Sequence, residues 1–273
     1  MTTRHRARTL GWLLALSLGL AACGRTIEPP RPILLRIAGS TSMQPLLQAL
    51  TAAYSAQRPN VTFDLAAGDS GLGLEQLKTG QIDIAASSWP PDQKALDGAG
   101  LQATPLAADG LSVIVHPNNP VDNLSLLQVR GVFRGRIGDW REVGGKIGDI
   151  LVVSREDGSG NRQGFESLAM DRQAVTLAAV VMPSSQAVVD YVGRHPNAIG
   201  YTGMGDLTTT VKALAVEGVE PVPAAVKEGT YALTCVLALI TPAHPSDRVQ
   251  AFVDFAVSPS AQDLIRARWA PVK

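Results

Sequence analysis

The chain has 273 residues, of which 45% are hydrophobic and only 18% are charged. This composition supplies enough apolar material for a sizeable core, in one large domain or in two lobes. The 24 basic residues balance the 24 acidic ones, and the sequence shows no basic patch or stripe, which argues against nucleic-acid binding.

The N-terminal segment has the order of features that is typical of a secretory signal. Arg4, Arg6 and Arg8 precede an apolar run at residues 10–20, and small residues follow that run. The apolar run is shorter than the roughly 20 residues that a membrane span requires. Residues 1–22 are therefore predicted to be a signal peptide. Its removal leaves 21 basic and 24 acidic residues, because the segment carries three arginines and no acid.

Cys23 completes the sequence Leu-Ala-Ala-Cys, which resembles the lipobox of bacterial lipoproteins. The resemblance implies that Cys23 is acylated, with palmitate or a similar chain, and becomes the new N-terminus. An ordinary signal whose cysteine is incidental is the alternative. The proline-rich residues 23–32 predict an extended tether. We therefore expect an exported protein, lipid-anchored to a bacterial membrane and facing the periplasm or the cell exterior. Gly24, which follows the cysteine, is compatible with the outer membrane.

The cysteines and histidines of the sequence indicate no intramolecular disulfide and no metal site, and we expect no cofactor. Cys235 is the second of two cysteines and lies in an apolar run, which is typical of a buried structural thiol. His116, His195 and His244 each stand beside a proline and lack the spacing of metal ligands.

From residue 33 onward, short β-like runs alternate with helical runs, which predicts an α/β fold with helices packed on mainly parallel sheets. Strands are predicted at residues 33–38, 61–66, 82–86, 150–154 and 198–202. Helices are predicted at residues 44–57, 74–79, 163–170 and 184–193, and again between residues 246 and 268. The first of these helices has Pro45 in its first turn and an apolar face formed by Leu46, Leu47, Leu50 and Tyr54.

Two long β-like stretches, residues 110–116 and 231–241, are suited to cross between two lobes. A chain that leaves one lobe and later returns to it needs two such crossings. We therefore predict that residues 33–116 and 231–273 form lobe 1 and that residues 117–230 form lobe 2.

Three loops that follow predicted strands share one composition. They are residues 39–42 (Gly-Ser-Thr-Ser), 68–73 (Gly-Asp-Ser-Gly-Leu-Gly) and 155–161 (Arg-Glu-Asp-Gly-Ser-Gly-Asn). A helix N-terminus offers unpaired N–H groups and the positive end of the helix dipole, which together attract anions. Glycine permits a close approach of the backbone, and serine and threonine hydroxyls add donors. With Arg155 as a charged partner, the loops predict a site for a tetrahedral oxyanion.

Two other interpretations of these loops need weighing. Serine, threonine and aspartate are preferred N-caps, so each loop taken alone can be a helix cap. Residues 68–71 (Gly-Asp-Ser-Gly) look superficially like a hydrolase nucleophile loop, but Leu72 stands where a nucleophile elbow needs glycine. No histidine stands in a motif that would serve as the base, so we do not expect an enzyme.

The loops belong to a longer resemblance, which runs in order along nearly the whole mature chain, to the phosphate-binding proteins that serve ABC transporters. The similar segments are residues 39–46, 68–73, 80–88, 108–116, 133–140, 155–161, 186–193 and 198–202. The most specific of them is 155–161, which is close to the family's arginine followed by Gly-Ser-Gly-Thr. The resemblance implies the type II periplasmic binding protein fold, in which two lobes joined by two crossing segments close around the ligand by a hinge.

The resemblance also implies which residues contact phosphate. They are Thr41, Ser42, Ser70, Ser88, Arg155, Ser159, Gly160 and Asn161. Asn161 stands where the family has threonine, which keeps a donor, and Ser88 stands where many members have aspartate. A protonated phosphate can donate to a carboxylate and fully ionised sulfate cannot, so Ser88 leaves the preferred oxyanion open.

Three acidic residues can supply the acceptor that Ser88 lacks, unless the selectivity is looser. They are Asp69, Asp109 and Asp157. Asp157 can equally cap a helix or pair with Arg155.

The sequence thus predicts a monomeric lipoprotein that captures inorganic phosphate, or a similar tetrahedral oxyanion, and delivers it to the permease of an ABC transporter. The alternative is a signalling or scaffold lipoprotein that has the same fold and binds anions weakly or differently.

Overall fold

The structure is a computed structural model that describes residues 31–272. The predicted signal peptide and Cys23 lie outside the described residues. The described strands are β1 (Ile33–Ser40), β2 (Val61–Gly68), β3 (Ile84–Ser87), β4 (Leu101–Val115), β5 (Asn123–Leu124), β6 (Leu151–Arg155), β7 (Val180–Met182), β8 (Ala198–Gly203), β9 (Lys212–Ala213), β10 (Ala215–Val216), β11 (Thr234–Pro242) and β12 (Ala270–Pro271).

The described helices are α1 (Gln44–Gln57), α2 (Ser70–Lys78), α3 (Gln93–Gly98), α4 (Leu126–Phe133), α5 (Gly160–Leu168), α6 (Ser185–Arg194), α7 (Pro223–Glu228), α8 (Asp247–Ala256) and α9 (Pro259–Ile265). Short 3-10 turns lie at Thr41–Met43, Trp140–Val143 and Met204–Asp206. The alternation of strands and helices confirms the predicted α/β class.

The main sheet has the order β2-β1-β3-β11-β4-β8-β6-β7. β1 pairs in parallel with β2 and β3, and β6 pairs in parallel with β7 and β8. Between these two parallel groups, β11 and β4 run antiparallel to their neighbours. The sheet is therefore mixed, with parallel pairing toward both edges and antiparallel pairing in the middle.

Strand β4 joins the two halves of the sheet. It pairs with β11 from Leu101 to Gly110 and with β8 from Leu111 to Val115. The sequence pattern predicted this strand only from residue 110, because the polar residues and the proline at positions 102–105 break the apolar run. Pairing with the apolar strand β11 nevertheless holds that part of the chain extended.

Helices flank each parallel group, and the fold is two-lobed. Helix α1 packs on β2, α2 packs on β3 and α8 packs on β1, whereas α5 and α6 pack on β8. The exchange of partners along β4, at Gly110 and Leu111, lies near the first predicted crossing. The predicted lobe boundaries at residues 116 and 231 stay predictions.

Helix α1 begins and ends at the predicted residues. Pro45 lies in its first turn, where no intrahelical hydrogen bond is lost. Leu46, Leu47, Leu50 and Tyr54 recur at helical spacing, and all four are buried. The period of the apolar residues was sufficient to predict this element.

Two other helices begin earlier than predicted. Helix α2 begins at Ser70, although the sequence predicted residue 74, because the Asp69 side chain caps it by accepting from the Leu72 amide at 2.6 Å. Helix α5 begins at Gly160, although residue 163 was predicted, because Ser159 caps it. The glycines in these first turns resemble a loop in sequence, but the caps start the helices there.

Two aromatic groups occupy the core. In one, Phe252 of α8 lies 4.8 Å from Phe63 and 5.3 Å from Tyr54, measured between ring centroids. In the other, Phe165 stacks on Tyr201 at 4.1 Å. Across residues 31–272, none of the helices is both long enough and apolar enough to cross a lipid bilayer.

Phe252→Ala is expected to lower the free energy of unfolding by about 3–5 kcal/mol, because it removes a large buried ring and leaves a cavity between α8, α1 and β2. Urea unfolding followed by circular dichroism measures the change. Leu177→Ala is the control, because Leu177 is fully exposed and its loss should change the free energy by about 0.5 kcal/mol or less. Equal costs for the two substitutions would contradict this packing.

Candidate functional site

The predicted loops meet where the parallel strands end. Strands β1, β2 and β3 run in the same direction, so the loops that follow them lie along one edge of the sheet. The loop after β6, which belongs to the other parallel group of strands, contacts the first turn of α2 at this edge. Its Gly158 carbonyl accepts a hydrogen bond from the Gly71 amide at 3.1 Å.

Four buried serines lie where these loops meet: Ser40, Ser42, Ser70 and Ser88. We call them the hydroxyl cluster. The Ser40 hydroxyl lies 2.9 Å from the Ser42 hydroxyl and donates to that of Ser88 at 2.9 Å. The Ser88 amide donates to the Ser70 hydroxyl at 3.3 Å. Because these groups are buried, each of them needs a partner in the protein or in a ligand.

Gly160 and Asn161 contact the cluster from the start of helix α5. A Cβ atom at Gly160 would overlap the hydroxyls of Ser70 and Ser88, so only glycine permits this approach. The Asn161 Oδ1 atom accepts from Ser42 at 3.1 Å. Its Nδ2 atom is buried and has no hydrogen-bond partner. The site therefore presents an unused donor among buried hydroxyls.

Arg155 lies at the end of β6 and is almost fully buried. Its guanidinium forms a two-point contact with Glu156, with Nη2 at 2.6 Å from Oε1 and Nε at 2.8 Å from Oε2. The Nη1 atom donates to the Ser185 hydroxyl at 3.2 Å. Burial without water makes such charge-assisted contacts strong.

Thr41 and Ser185 connect the loop after β1 with the start of helix α6. The Ser185 amide donates to Thr41 Oγ1 at 3.1 Å, and the two hydroxyl oxygens are 3.4 Å apart. Thr41 is thereby linked to Arg155 through one side chain. Thr41 also lines a cleft of about 330 Å³ together with Gln44, Gln186 and Asp206.

The structure thus brings seven of the eight predicted residues into two adjoining groups. Ser42, Ser70, Ser88, Gly160 and Asn161 form one group, and Thr41 with Arg155 forms the other. Ser159, the eighth, is buried and caps α5 by accepting from the Arg162 amide at 3.4 Å. The capping interpretation therefore holds for Ser159 and for Asp69, and not for the hydroxyl cluster.

The three candidate acceptors lie apart from the hydroxyl cluster or are otherwise engaged. Asp69 caps α2 and packs against Gly158. Asp157 is exposed and forms an ion pair with Arg162 at 2.7 Å. It neither caps a helix nor pairs with Arg155, because Ser159 and Glu156 take those places. Asp109 is buried and accepts from the Met204 amide at 3.1 Å.

Asp109 and Asp206 form a pair of buried carboxyl groups beside Gly203. Burial, with the nearby Asp206 as a second cause, raises the pKa of Asp109 to about 8. Burial likewise raises the pKa of Asp206 to about 7, against hydrogen bonds from Thr202 and Ser185 that lower it. Two like charges in a dry environment disfavour the doubly ionised state.

The sequence analysis did not name three polar residues of this region as parts of the site. Ser40 lies within the loop at 39–42, and Ser185 lies within the predicted helix at 184–193. Both positions had a signal, since serine is common beside anion sites and at helix starts. Asp206 had none, because only the fold brings it near Ser185.

Comparisons with known proteins identify the family of this chain. The PBP superfamily domain matches residues 25–260. The phosphate-binding protein PstS of Bacillus subtilis is 31% identical over 233 residues, which cover 85% of this chain and 77% of that protein. A phosphate ABC transporter substrate-binding protein of Clostridium perfringens, solved with bound phosphate, has a TM-score of 0.83 and 31% identity, with 88% of this chain and 100% of that chain covered.

A phosphate transport receptor of the ABC type from Vibrio cholerae also has 31% identity, with a TM-score of 0.72. The superposition covers 87% of this chain and 100% of that chain.

The free energy of unfolding is expected to fall as the pH rises from about 4 to about 8. In this window the folded chain keeps a proton on Asp109, whose pKa is raised to about 8, whereas the unfolded chain with a pKa of about 3.9 releases it. Asp109→Asn removes the contribution of Asp109 and should reduce the slope, as measured by urea unfolding at a series of pH values, while Asp206, whose pKa is raised to about 7, keeps part of the dependence. Asp122→Asn, at a side chain that is 84% exposed, should keep the wild-type slope. An unchanged slope in Asp109→Asn would refute the assignment.

Proposed function

This chain belongs to the PBP superfamily and to the family of the PstS phosphate-binding proteins, and from that premise we propose that it captures inorganic phosphate for an ABC transporter. The observation that carries the proposal is the buried Nδ2 atom of Asn161, a donor without a partner beside the hydroxyl cluster. A tetrahedral oxyanion needs several donors in a dry site, and the hydroxyl cluster together with Asn161 supplies them.

The proposed ligand contacts are Thr41, Ser42, Ser70, Ser88, Arg155, Ser159, Gly160 and Asn161. The hydroxyls and the Asn161 amide supply neutral donors, and the amides of Gly160 and Asn161 at the start of α5 add backbone N–H groups. Arg155 supplies positive charge, which Glu156 partly balances. Relatives that are phosphate-binding proteins support phosphate as the ligand.

Capture works by closure of the two lobes. The Ser42–Asn161 and Thr41–Ser185 contacts join the loop after β1 to helices α5 and α6. Closure removes water from the oxyanion, and each donor contact then gains strength because the local dielectric constant falls. We propose residues 33–116 and 231–273 as one lobe and residues 117–230 as the other, with β4 as one crossing.

Binding is proposed to be reversible and non-covalent, followed by transfer of phosphate to the permease, with the protein acting as a monomer. An enzymatic role is not part of the proposal. The His195 ring stacks on Tyr191 with 3.8 Å between ring centroids, and the His116 ring accepts from the Asn118 amide. Both rings therefore have partners other than Ser70.

Phosphate at about a hundred times its Kd is expected to stabilise the folded protein by about 2.7 kcal/mol. Thermal unfolding with phosphate, arsenate, sulfate and molybdate measures this. Asn161→Ala should weaken phosphate binding about tenfold, because it removes a buried donor, and Arg155→Ala should abolish the stabilisation. Arg194→Ala, which changes a side chain that is 74% exposed, is the matched control and should bind as the wild type does.

A shift with sulfate or molybdate and none with phosphate would overturn phosphate as the ligand. Flat responses to all four anions, with intact folding, would favour the signalling or scaffold lipoprotein instead.

We propose further that the chain is exported and anchored by acylation of Cys23. Labelled palmitate fed to a bacterial host should be incorporated into the wild type, and the protein should sediment with membranes. Cys23→Ala should lose both properties. Cys235→Ala, at a buried cysteine, should keep both. Absence of label in the wild type would favour the alternative of an ordinary signal peptide.

A further inference from the structure

Trp89 is a partly buried aromatic residue beside the hydroxyl cluster, and the proposed ligand contacts do not include it. It follows Ser88 in the loop after β3, and its amide donates to the Ser87 hydroxyl at 3.3 Å. Its side chain packs against the main hydrophobic core. One short loop therefore carries both a member of the hydroxyl cluster and a large apolar side chain.

The ring of Trp89 lies directly on helix α5, at Gly164. A Cβ atom at Gly164 would lie 2.9 Å from Trp89 Cε3 and 3.1 Å from Leu111 Cδ1, which is closer than ordinary van der Waals contact. Gly164 is in the middle of α5 (Gly160–Leu168), where glycine is less favourable than alanine. The close approach of the ring gives a physical reason for glycine at this helical position.

Gly160 and Gly164 are four residues apart and so lie on one face of α5. A Cβ atom at Gly160 would overlap the hydroxyls of Ser70 and Ser88. The same atom would lie 3.0 Å from the amide nitrogen of Trp89. One face of α5 therefore contacts the hydroxyl cluster through Gly160 and the indole ring through Gly164.

This face of α5 has to move when an anion enters. Ser88 is 1% exposed and Asn161 is 2% exposed, so a free anion reaches the Asn161 Nδ2 atom only after α5 has separated from the loop after β3. The separation also lifts Gly164 from the ring of Trp89. It exposes apolar surface of the ring to water, which costs free energy and favours the return of α5.

We propose that Trp89 stabilises the closed conformation by packing its ring on Gly164, and that it thereby sets the affinity and the residence time of the bound oxyanion. The inference rests on the proposed function and assigns a positioning residue to that site. Trp89 acts through α5 and not through the anion. Its contribution is therefore the same for every oxyanion that the closed site holds, so the selectivity does not depend on it.

Trp89→Ala is expected to raise the Kd for phosphate about tenfold, because it removes a contact that only the closed conformation makes. The dissociation rate should rise and the association rate should stay nearly unchanged, since the ring packs only after the anion has entered. Titration calorimetry measures Kd, and release of radiolabelled phosphate into excess unlabelled phosphate measures the dissociation rate. Trp89→Phe keeps an aromatic ring and should recover much of the loss.

Gly164→Ala should weaken binding to a similar extent, because its methyl group occupies the place of the ring. The double variant Trp89→Ala/Gly164→Ala should bind no more weakly than Trp89→Ala alone, since the methyl group then meets no ring and the end of the Leu111 side chain can shift. Gly98→Ala is the matched control. Gly98 is a helical glycine at which an added Cβ atom meets no atom within 4 Å, so this variant should bind as the wild type does.

Tryptophan fluorescence gives a signal that a merely structural role of Trp89 would not produce. Phosphate should shift the emission of the wild type to shorter wavelength, because the ring loses contact with water when α5 closes on it. Trp140 and Trp269 are only 3% and 2% exposed, so they contribute little to the shift. Trp89→Phe should therefore lose it.

A wild-type Kd in both Trp89→Ala and Gly164→Ala would overturn the inference, and so would additive losses in the double variant. A lower free energy of unfolding with an unchanged Kd would reduce Trp89 to a structural role and overturn it equally. If Trp89→Ala fails to fold, the Kd of Gly164→Ala and the emission shift of the wild type decide the question.

Failure of the proposed function gives a different result. If the wild type binds sulfate or molybdate and not phosphate, phosphate capture is wrong, while the same losses and the same emission shift with that anion support the role of Trp89. If the wild type binds none of these anions, both the proposed function and this inference fail.

Discussion

The dominant constraint on this structure is that polar side chains between the two halves of the sheet are buried and must find partners there. A buried hydroxyl or amide without a partner costs free energy comparable to a lost hydrogen bond. The Ser40 hydroxyl donates to that of Ser88, and the Ser42 hydroxyl donates to Asn161 Oδ1 across the site. The Nδ2 atom of Asn161, in contrast, has no hydrogen-bond partner. A buried donor that lacks a partner is suited to receive an acceptor from a ligand.

The two antiparallel strands in the middle of the sheet bring these buried polar side chains together. Because β4 pairs with β11 along its first part and with β8 along its last part, one continuous strand fixes the positions of both parallel groups. The carboxyl ends of β1, β2 and β3 therefore face the loop after β6. Gly160 permits the closest approach, since any larger residue would displace Ser70 and Ser88.

The sequence predicted those parts of the fold whose signal is local. Helix α1 was predicted from end to end because its apolar period and its early proline depend on neighbouring residues only. The first part of β4 was missed because its extended conformation depends on pairing with β11, which is distant in sequence. The starts of α2 and α5 were placed too late because glycine-rich first turns look like loops until the caps at Asp69 and Ser159 are seen.

The same difference between local and long-range signals explains which site residues the sequence could name. Residues in motifs, such as Arg155 and Asn161, could be named from the sequence, whereas Asp206 could not, because the fold alone brings it near Ser185. This bears on the position of Ser88, where a carboxylate would have combined an acceptor and a negative charge in one residue. Here Glu156, which follows Arg155 in the chain, partly balances the guanidinium charge through a two-point contact. With serine at position 88 the cluster holds hydroxyls and the unpartnered Asn161 amide, and both are groups that can donate to the oxygens of an oxyanion.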